Sequence, residues 1–238
     1  METQRLDKIL ASTGKHSRKE ARVLIRAGRV LVDGVPVRDA AAKFDAEAAH
    51  ITVDGADIGY RRVTWVMLNK PAGYLSATED RHTPTVLDLL PPELRHLFPV
   101  GRLDKDTVGL LLLTDDGATA HALLSPRHHV GKVYEARVSG RLTAEDVEAF
   151  RAGVTLADGL RCLPAELEIL SAGEAESVCR VTVREGKFHQ VRRMLAERGK
   201  PVLFLERVKM GNLPLDRALS RGSFRFLTAD EIKNLGVF

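Results

Sequence analysis

The sequence is poor in cysteine and contains no long apolar segment. Its two cysteines, Cys162 and Cys179, stand in neither a CxxC pair nor another zinc-ligand spacing, which argues against a disulfide scaffold and a structural zinc site. The longest apolar stretch, GLLLL at residues 109–113, is far shorter than the roughly 20 residues that span a bilayer. The first residues, METQRLDKIL, lack the apolar core of a secretion signal. We therefore expect a cytoplasmic protein that does not associate with membranes.

Motifs for nucleotide cofactors and for hydrolysis are also missing. The chain has no GxxxxGKS/T or GxGxxG loop, so the sequence does not predict a bound nucleotide cofactor. It has no HExxH pair and no GxSxG elbow, which are signatures of zinc proteases and of serine hydrolases. Metal-dependent and serine-dependent hydrolysis are therefore not expected.

The charge of the chain is unevenly distributed. The 238 residues carry a net charge of +4, with 44% hydrophobic and 29% charged residues, which is typical of a folded chain with one domain or a large and a small one. Residues 1–29 carry eight basic and three acidic side chains, so the rest of the chain is slightly acidic. Such a local excess indicates a surface for a polyanion, and the alternative is a solvated helix face.

The N-terminal pattern predicts a basic helix. Ser17 and Glu20 form a capping box, and the helix runs to about Ala27, where Gly28 supplies a left-handed stop. Arginines recur every three or four residues and so form one stripe: Arg18, Arg22, Arg26 and Arg29. The inward positions are predicted to be Ala21, Leu24 and either Ala27 or Val23.

Turn signals follow this helix. Asp33-Gly34 separates two short apolar stretches and predicts a β-hairpin, and Asp54-Gly55 follows a short strand at 51–53. Residues 1–59 are therefore predicted to form a helix–helix–hairpin domain. Residues 60–238 are predicted to form a second domain, with strands at 63–68, 108–113, 132–138 and 178–183 and helices at 143–153, 189–198 and after 228. The irregular order of helices and strands favours an α+β fold with a mixed sheet.

The segment GRLDKDTVG at residues 101–109 is dense in polar side chains and leads directly into a predicted buried strand. A carboxylate at the edge of a rigid sheet is well placed for binding or catalysis, and Asp104 and Asp106 are the candidates. A calcium loop is one alternative, but Val108 occupies its third ligand position and Asp115 stands where a glutamate belongs. An ordinary polar loop is the other alternative.

A second polar segment, EGKFHQVRR at residues 185–193, lies where a strand ends and a helix begins. Helix N-termini favour anions, and guanidinium groups add paired donors. The basic and amide side chains here are Lys187, His189, Gln190, Arg192 and Arg193. They indicate contact with an anionic substrate, and simple surface charge is the alternative for Arg192 and Arg193.

The chain closely resembles the RsuA family of ribosomal RNA pseudouridine synthases in four motifs: GRLDKDTVGLLLLTDDG, KVY, EGKFHQVRRM and LERVKMGNLPL. Its N-terminal RLDKILASTGKHSRKEARVLIRAGRVLVDG resembles the S4 RNA-binding domain. LNKPAGY, HTPTVLDLL and SPRHHVGKVY are most similar to the branch that acts on small-subunit RNA. The resemblance implies a pseudouridine synthase domain with a central mixed, mainly antiparallel sheet flanked by helices.

The resemblance also implies roles for individual residues. Asp104 matches the family's essential aspartate, Tyr134 the tyrosine that stacks on the target uracil, and Arg192 the basic partner of the aspartate. The residues expected to bind the substrate nucleotide are Arg102, Leu205, Lys187, His189 and Gln190. Those expected to bind RNA through the N-terminal domain are Arg5, Lys8, Arg18, Lys19, Arg22, Arg26 and Arg29. No metal and no organic cofactor is implied.

The implied reaction converts one uridine of 16S ribosomal RNA to pseudouridine. The N-glycosidic bond breaks, the base turns, and C5 is joined to C1′, either after attack of Asp104 on C1′ or after loss of a proton from C2′. The expected partner is ribosomal RNA or a small-subunit assembly particle, bound by a monomer. The alternatives are 23S ribosomal RNA or tRNA as the substrate, and a catalytically inert RNA-binding protein.

Overall fold

The computed structural model describes residues 3–13, 15–46, 48–58, 63–125 and 128–235, which divide into two compact units. The first unit extends to Thr64 and includes Pro91–Leu97, and the second contains Trp65–Leu90 and the chain from Phe98 onward. The predicted domain boundary between residues 59 and 60 lies outside the described residues and stays a prediction. No helix in the described ranges is both long and apolar enough to cross a membrane.

The first unit contains two helices and several short strands. Its elements are β1 (Gln4–Arg5), α1 (Leu6–Ser12), α2 (Arg18–Arg26), β2 (Val30–Val32), β3 (Val35–Pro36), β4 (Lys43–Phe44), β5 (Ile51–Val53) and β6 (Ala56–Asp57), with a 3-10 helix at Pro92–Leu94. Strands β3, β2, β5 and β6 form an antiparallel sheet in that order, and β1 pairs with β4. This arrangement confirms the predicted combination of two helices and a hairpin.

Helix α2 begins where its capping box predicts. The Ser17 hydroxyl accepts a hydrogen bond from the backbone N–H of Glu20, whose carboxylate accepts one from the backbone N–H of Ser17 at 2.7 Å. The inward side chains are Ala21, Leu24 and Ile25, and Val23 is 63% exposed. The expectation of either Val23 or Ala27 as an inward residue was therefore wrong, because both are exposed and the third inward side chain is that of Ile25, directly after Leu24.

The second unit is built on one large sheet. Its elements are β7 (Trp65–Lys70), β8 (Phe98–Pro99), β9 (Val108–Thr114), α3 (Gly117–Leu124), β10 (Lys132–Ser139), α4 (Ala144–Ala152), β11 (Glu166–Ala172), β12 (Glu176–Val183), α5 (Gln190–Glu197), β13 (Val202–Met210), β14 (Leu213–Pro214), β15 (Phe224–Phe226) and α6 (Ala229–Lys233), with a 3-10 helix at Val86–Leu89. The strand order is β11-β12-β10-β13-β9-β7-β15, with β14 beside β13 and β8 beside β9. Only the β9–β13 pair is parallel among the described strands, which confirms a mixed, mainly antiparallel sheet.

The parallel pairing of β9 and β13 requires a glycine at residue 109. Gly109 lies opposite Arg207 and has φ +99°. A residue with a side chain would be strained in this backbone conformation, whereas glycine adopts it readily. A Cβ built on Gly109 would overlap the carbonyl oxygen of Arg207 and approach its backbone nitrogen to 3.0 Å. The buried Arg207 in turn donates from Nε to the carbonyl oxygen of Leu110 at 2.7 Å. The glycine of the GRLDKDTVG motif therefore permits the close contact that joins β13 to β9.

We expect Gly109→Ala to lower the free energy of unfolding by at least about 2 kcal/mol, because backbone strain and steric overlap add at this position. Gly222→Ala is the matched control, since Gly222 has φ +82° but open space around its Cβ position, and it should cost about 1 kcal/mol. Urea unfolding of the three proteins measures both effects. Equal losses in the two variants would show that the contact with β13 does not require glycine.

Candidate active site

The loop that carries Asp104 is held by the buried ammonium group of Lys70. Lys70 is the last residue of β7, and its Nζ donates to the carbonyl oxygens of Asp104 at 3.0 Å, Lys105 at 3.2 Å and Thr107 at 2.9 Å. A fourth carbonyl, that of Pro71, lies 3.1 Å away. One side chain therefore fixes the backbone from Asp104 to Thr107, directly after the Asp104 carboxylate.

Burial makes the charge of Lys70 costly to maintain. Its side chain is fully buried, and burial lowers the pKa of Lys70 from 10.5 to about 8. The negative charges of Asp106 and Asp104 partly offset that shift, and Arg207 adds to it. The ammonium group is therefore retained at neutral pH by the carbonyl oxygens and carboxylates of the loop.

The start of the loop is fixed by the segment that follows β7. The Ser76 hydroxyl donates to the carbonyl oxygen of Leu103 at 2.9 Å and accepts from its backbone N–H at 3.0 Å. The backbone N–H of Gly73 donates to the carbonyl oxygen of Lys105 at 2.8 Å. Together with Lys70, these contacts attach the Asp104 loop to the end of β7 and to the segment after it, in addition to its covalent link to β9.

The Asp104 carboxylate lies at the wall of an open pocket and has three polar neighbours. The Thr107 hydroxyl donates to Oδ2 at 3.2 Å, and Arg192 Nε lies 3.5 Å from the same oxygen. His189 Nε2 lies 3.4 Å from Oδ1. The carboxylate side chain is 26% exposed, so it is partly shielded from water while a ligand in the pocket can still contact it.

The Arg192 guanidinium is shared by two carboxylates. Its Nη2 lies 3.0 Å from Asp106 Oδ2 and donates to the Thr107 hydroxyl at 3.4 Å. Its Nε is buried and makes no hydrogen bond within the described residues, so its contact with Asp104 is electrostatic. The same guanidinium lies between the carboxylates that a calcium loop would use, and in the described ranges no three metal-ligating side chains of His, Cys, Asp or Glu converge.

The turn before α5 is braced by Glu185. Its carboxylate accepts hydrogen bonds from Gln190 Nε2 at 2.7 Å and from the backbone N–H of Leu163 at 2.8 Å, and Lys187 Nζ lies 3.3 Å away. Gln190 Oε1 accepts from the backbone N–H of Lys187 at 3.1 Å, and Lys187 Nζ donates to the carbonyl oxygen of Arg161. The polar groups of Gln190 and Lys187 are thus engaged in fixing the turn.

The pocket is lined by all the residues to which the family resemblance gave a catalytic or substrate-binding role, whereas Asp106 and Arg193 are not among its lining residues. It is an open cleft of about 450 Å³, a volume that includes its solvent-filled mouth. Its lining residues are Arg102, Leu103, Asp104, Thr107, Tyr134, Val183, Glu185, Gly186, Lys187, His189, Gln190, Val191, Arg192 and Leu205. Tyr134 comes from β10 and Leu205 from β13, so an aromatic ring and an aliphatic side chain lie in the same pocket as the charged pair.

Lys70, Ser76 and Thr107 also shape the site, although no sequence motif indicated a role for them. Lys70 and Pro71 stand in LNKPAGY, which resembled a family motif without indicating what the lysine binds. Thr107 lies within GRLDKDTVG, where a hydroxyl three residues after an aspartate is a common partner for that carboxylate. The threonine was therefore accessible to sequence reasoning, whereas the carbonyl contacts of Lys70 require the fold.

In the first unit, several of the predicted RNA-binding arginines converge on one buried acidic residue. Asp7 is fully buried, and Arg5 Nε and Arg22 Nε contact its carboxylate at 3.0 and 2.9 Å, with Arg18 Nη2 at 3.7 Å. Hydrogen bonds from Arg5 and Arg22 hold the pKa of Asp7 well below its usual range, although burial opposes them.

The other predicted RNA-binding residues fall into two groups. Arg29 pairs with Asp54 through a 2.5 Å contact. Lys8, Lys19 and Arg26 are exposed, and no ion pair is recorded for them in the described part of the chain. The predicted arginine stripe is therefore not uniform: part of it neutralises Asp7, and a separate set of cations is free to meet a polyanion.

The chain matches two protein families over separate ranges. The family described as RNA pseudouridylate synthase matches residues 64–197, and the S4 domain family matches residues 4–49.

A Bacillus subtilis (strain 168) protein named as an uncharacterized RNA pseudouridine synthase is 44% identical over 230 residues, which are 96% of each chain. The ribosomal small subunit pseudouridine synthase A of Escherichia coli (strain K12) is 40% identical over 234 residues, covering 97% of this chain and 99% of its own. A crystal structure of a pseudouridylate synthase has a TM-score of 0.68 and 34% identity, covering 97% of this chain and 99% of its own.

We expect Lys70→Met to lower the free energy of unfolding near neutral pH by about 1–3 kcal/mol, because the carbonyl oxygens of the Asp104 loop lose a charged donor. Lys105→Met is the matched control: Lys105 lies in the same loop with an exposed side chain, and its loss should change stability by less than about 0.5 kcal/mol. Chemical unfolding measures both variants. Equal stability of the wild type and Lys70→Met would contradict a supporting role for Lys70.

The stability difference between the wild type and Lys70→Met should depend on pH. The unfolded chain keeps the Lys70 proton up to a pKa of 10.5, whereas the folded chain releases it at a pKa of about 8. Between these values the unfolded state binds more protons, so this group makes unfolding less favourable as pH rises. We expect the wild type to gain stability relative to the variant from about pH 8 to 10, with a constant difference from about pH 5 to 7. Unfolding series at several pH values measure this, and a difference that is constant throughout would contradict the shift.

Proposed function

Because the chain belongs to the RNA pseudouridylate synthase family, we propose that it converts one uridine of small-subunit ribosomal RNA to pseudouridine. The observation that carries the proposal is the pocket that brings Asp104, Arg192 and Tyr134 together. The choice of RNA is supported by relatives that are named for the small ribosomal subunit and extend along 97% of this chain.

In the proposed reaction, Asp104 acts on the ribose of a uridine that has left its base stack. The N–C1′ bond breaks, uracil turns within the pocket, and a C5–C1′ bond forms. C5 loses its proton and N1 takes one up, so the product is an isomer of the substrate and no redox carrier is consumed. Both routes to bond cleavage, attack on C1′ and removal of a proton from C2′, use the same carboxylate. The partial shielding of Asp104 supports the proposal, since water at C1′ would give hydrolysis instead of transfer to C5.

Arg192 is proposed to place a positive charge beside the Asp104 carboxylate in this pocket. Arg192 Nε lies 3.5 Å from Asp104 Oδ2, a distance at which opposite charges attract each other in a partly shielded site. The Thr107 hydroxyl supports the same oxygen, and His189 lies at the other one. Arg192 is therefore given an electrostatic role and Thr107 a positioning role.

Tyr134 and Leu205 are proposed to hold the uracil ring. Turning a base out of its stack costs a few kcal/mol, and stacking on an aromatic ring returns about 1–3 kcal/mol of it. Leu205 is 3% exposed, and with Tyr134 it supplies apolar surface beside the charged pair. Arg102 is exposed at the pocket and is proposed to contact the backbone of the flipped nucleotide. Lys187 and Gln190 are proposed to affect substrate binding indirectly, because their hydrogen bonds fix the turn before α5.

The S4 domain is proposed to hold the RNA while the pocket acts on a single nucleotide. The basic excess of residues 1–29 supports this role, and the cations that lack a recorded acidic partner are the strongest candidates for phosphate contact. Because the residues proposed to act on the uridine all belong to one chain, we propose that a monomer is active. Because the proposed substrate is ribosomal RNA, we propose that the modification takes place in the cytoplasm.

The substrate proposal is tested by incubating the purified protein with separated small-subunit RNA, large-subunit RNA and tRNA that lack modifications. Chemical mapping of pseudouridine should show one new site, in the small-subunit RNA. Small-subunit assembly particles should be assayed in parallel, because assembly changes which uridines are accessible. Pseudouridine that arises only in large-subunit RNA or tRNA would contradict the choice of substrate but not the reaction.

We expect Asp104→Asn to abolish pseudouridine formation while RNA affinity stays within about threefold, because the amide can neither attack C1′ nor accept a proton. Asp106→Asn is the matched control, since Asp106 contacts the same guanidinium from a carboxylate that is 69% exposed, and it should retain measurable turnover. Single-turnover assays and RNA binding provide both readouts. Turnover by Asp104→Asn above background would remove Asp104 from its proposed role.

Neutralising Lys8, Lys19 and Arg26 by substitution with Gln should weaken RNA binding and reduce its dependence on salt. Each phosphate contact contributes about 0.7–0.9 to the slope of log K against log salt, so the slope should fall by up to about 2–3. The matched control replaces Arg137, Arg141 and Arg151 by Gln, which removes the same charge from side chains that pair with glutamates in the second unit. Identical salt slopes in the two variants would contradict a role for the S4 cations in RNA binding.

A further inference from the structure

Phe188 is a large apolar side chain that the proposed chemistry does not use. It is 74% exposed, the highest value among the exposed large hydrophobic residues of the described chain. It lies in the turn between β12 and α5, directly between Lys187 and His189, which both line the pocket. A phenyl ring thus stands in water at the edge of the active site, within a segment that is otherwise basic.

The ring of Phe188 is stacked on the imidazole of His189. The two ring centres are 3.8 Å apart and the planes differ by 18°. His189 in turn contacts the Asp104 carboxylate through Nε2 at 3.4 Å. One face of the phenyl ring is therefore covered by a residue of the active site, and its large exposure leaves the opposite face open to solvent.

The backbone around Phe188 is held in a fixed conformation. His189 has φ +50°, a left-handed conformation that residues other than glycine adopt when surrounding contacts impose it. Its carbonyl oxygen accepts from the N–H of Arg193 at 2.9 Å, and the N–H of Gln190 donates to the carbonyl oxygen of Lys187 at 3.2 Å. The exposed ring is therefore presented by a braced turn, so little conformational freedom would be lost when a ligand stacks on it.

We propose that Phe188 is a stacking platform for a nucleobase next to the target uridine in the RNA strand, an inference that rests on the proposed function. Nucleobases present flat faces whatever their identity, and stacking on an aromatic side chain is a general means of binding single-stranded RNA. Arg102, which is exposed and lines the same pocket, supplies positive charge for a phosphate beside that base. A uridine that enters the pocket leaves its neighbour unstacked on one side, and the open face of Phe188 replaces the lost stacking partner.

Phe188 is accordingly a binding and positioning residue, whose contact is made before and during the chemical step. A contact that is equal in the ground state and the transition state changes KM and leaves kcat nearly unchanged. If the ring served only to orient His189, its loss would instead lower kcat. The split between KM and kcat therefore separates the two roles.

The first test compares Phe188→Leu, which keeps apolar volume but removes the aromatic ring, with Phe188→Trp, which enlarges the ring. Phe204→Leu is the matched control, because Phe204 is also an exposed phenylalanine of the second unit, on β13. We expect Phe188→Leu to raise KM about tenfold at constant kcat, and Phe188→Trp and Phe204→Leu to stay within about twofold of the wild type. An unchanged KM in Phe188→Leu, or a loss confined to kcat, would overturn the proposal.

The second test identifies the base that stacks on Phe188. RNA fragments around the modified uridine, each with an abasic nucleotide at one flanking position, are bound to proteins in the Asp104→Asn background so that no turnover occurs. At one flanking position we expect the abasic change to weaken binding about tenfold with Phe188 and less than twofold with Phe188→Leu. Equal losses with both proteins at every position would overturn the proposal.

These outcomes are separable from failure of the proposed function. Both tests use the RNA in which the wild-type protein forms pseudouridine, whichever class that proves to be. Absence of pseudouridine in small-subunit RNA would contradict the proposed substrate. Normal turnover with insensitivity to Phe188→Leu would contradict only the stacking role.

Discussion

The contact between the Asp104 carboxylate and the Arg192 guanidinium is the interaction on which the proposed active site depends. It joins the loop before β9 to the first turns of α5, two segments that are far apart in the chain. Arg192 lies nearer to Asp106 than to Asp104, so it supplies positive charge to Asp104 without occupying both of its oxygens. A carboxylate held in this way lies beside a positive charge and still has surface available to a ligand in the pocket.

The fold is organised so that this contact is rigid. The glycine at residue 109 allows β13 to run in parallel against β9, and this pairing places Leu205 beside the loop that carries Asp104. From the other side, Lys70 at the end of β7 holds that loop by its carbonyl oxygens. Strand pairing and loop anchoring thus determine where the Asp104 carboxylate points. Catalysis requires such a fixed orientation, because the reacting groups must be held close together and correctly aligned.

Sequence patterns predicted the elements of the site well but not the contacts between them. The apolar stretch at residues 108–113, the alternation around Tyr134 and the capping box of α2 are local signals, and each corresponds to an element of the structure. The parallel pairing of β13, the burial of Lys70 and the convergence of arginines on Asp7 depend on residues distant in the chain, so no local pattern reports them. A lysine before a proline and an aspartate in a basic segment are by themselves typical of surface residues. The motifs indicated the family and the candidate residues. Tertiary packing, which the motifs do not show, explains why those residues lie where they do.

The proposed reaction requires Asp104 to act on the ribose of a uridine that is turned out of the RNA and held against Tyr134. The most direct measurement is a structure of Asp104→Asn bound to its RNA substrate, in which the intact uridine is trapped. We expect the everted uridine to occupy the pocket, with its C1′ and C2′ within about 4 Å of the substituted side chain and its base stacked on Tyr134. A uridine that remains in its helical stack, or that enters the protein away from this side chain, would contradict the account.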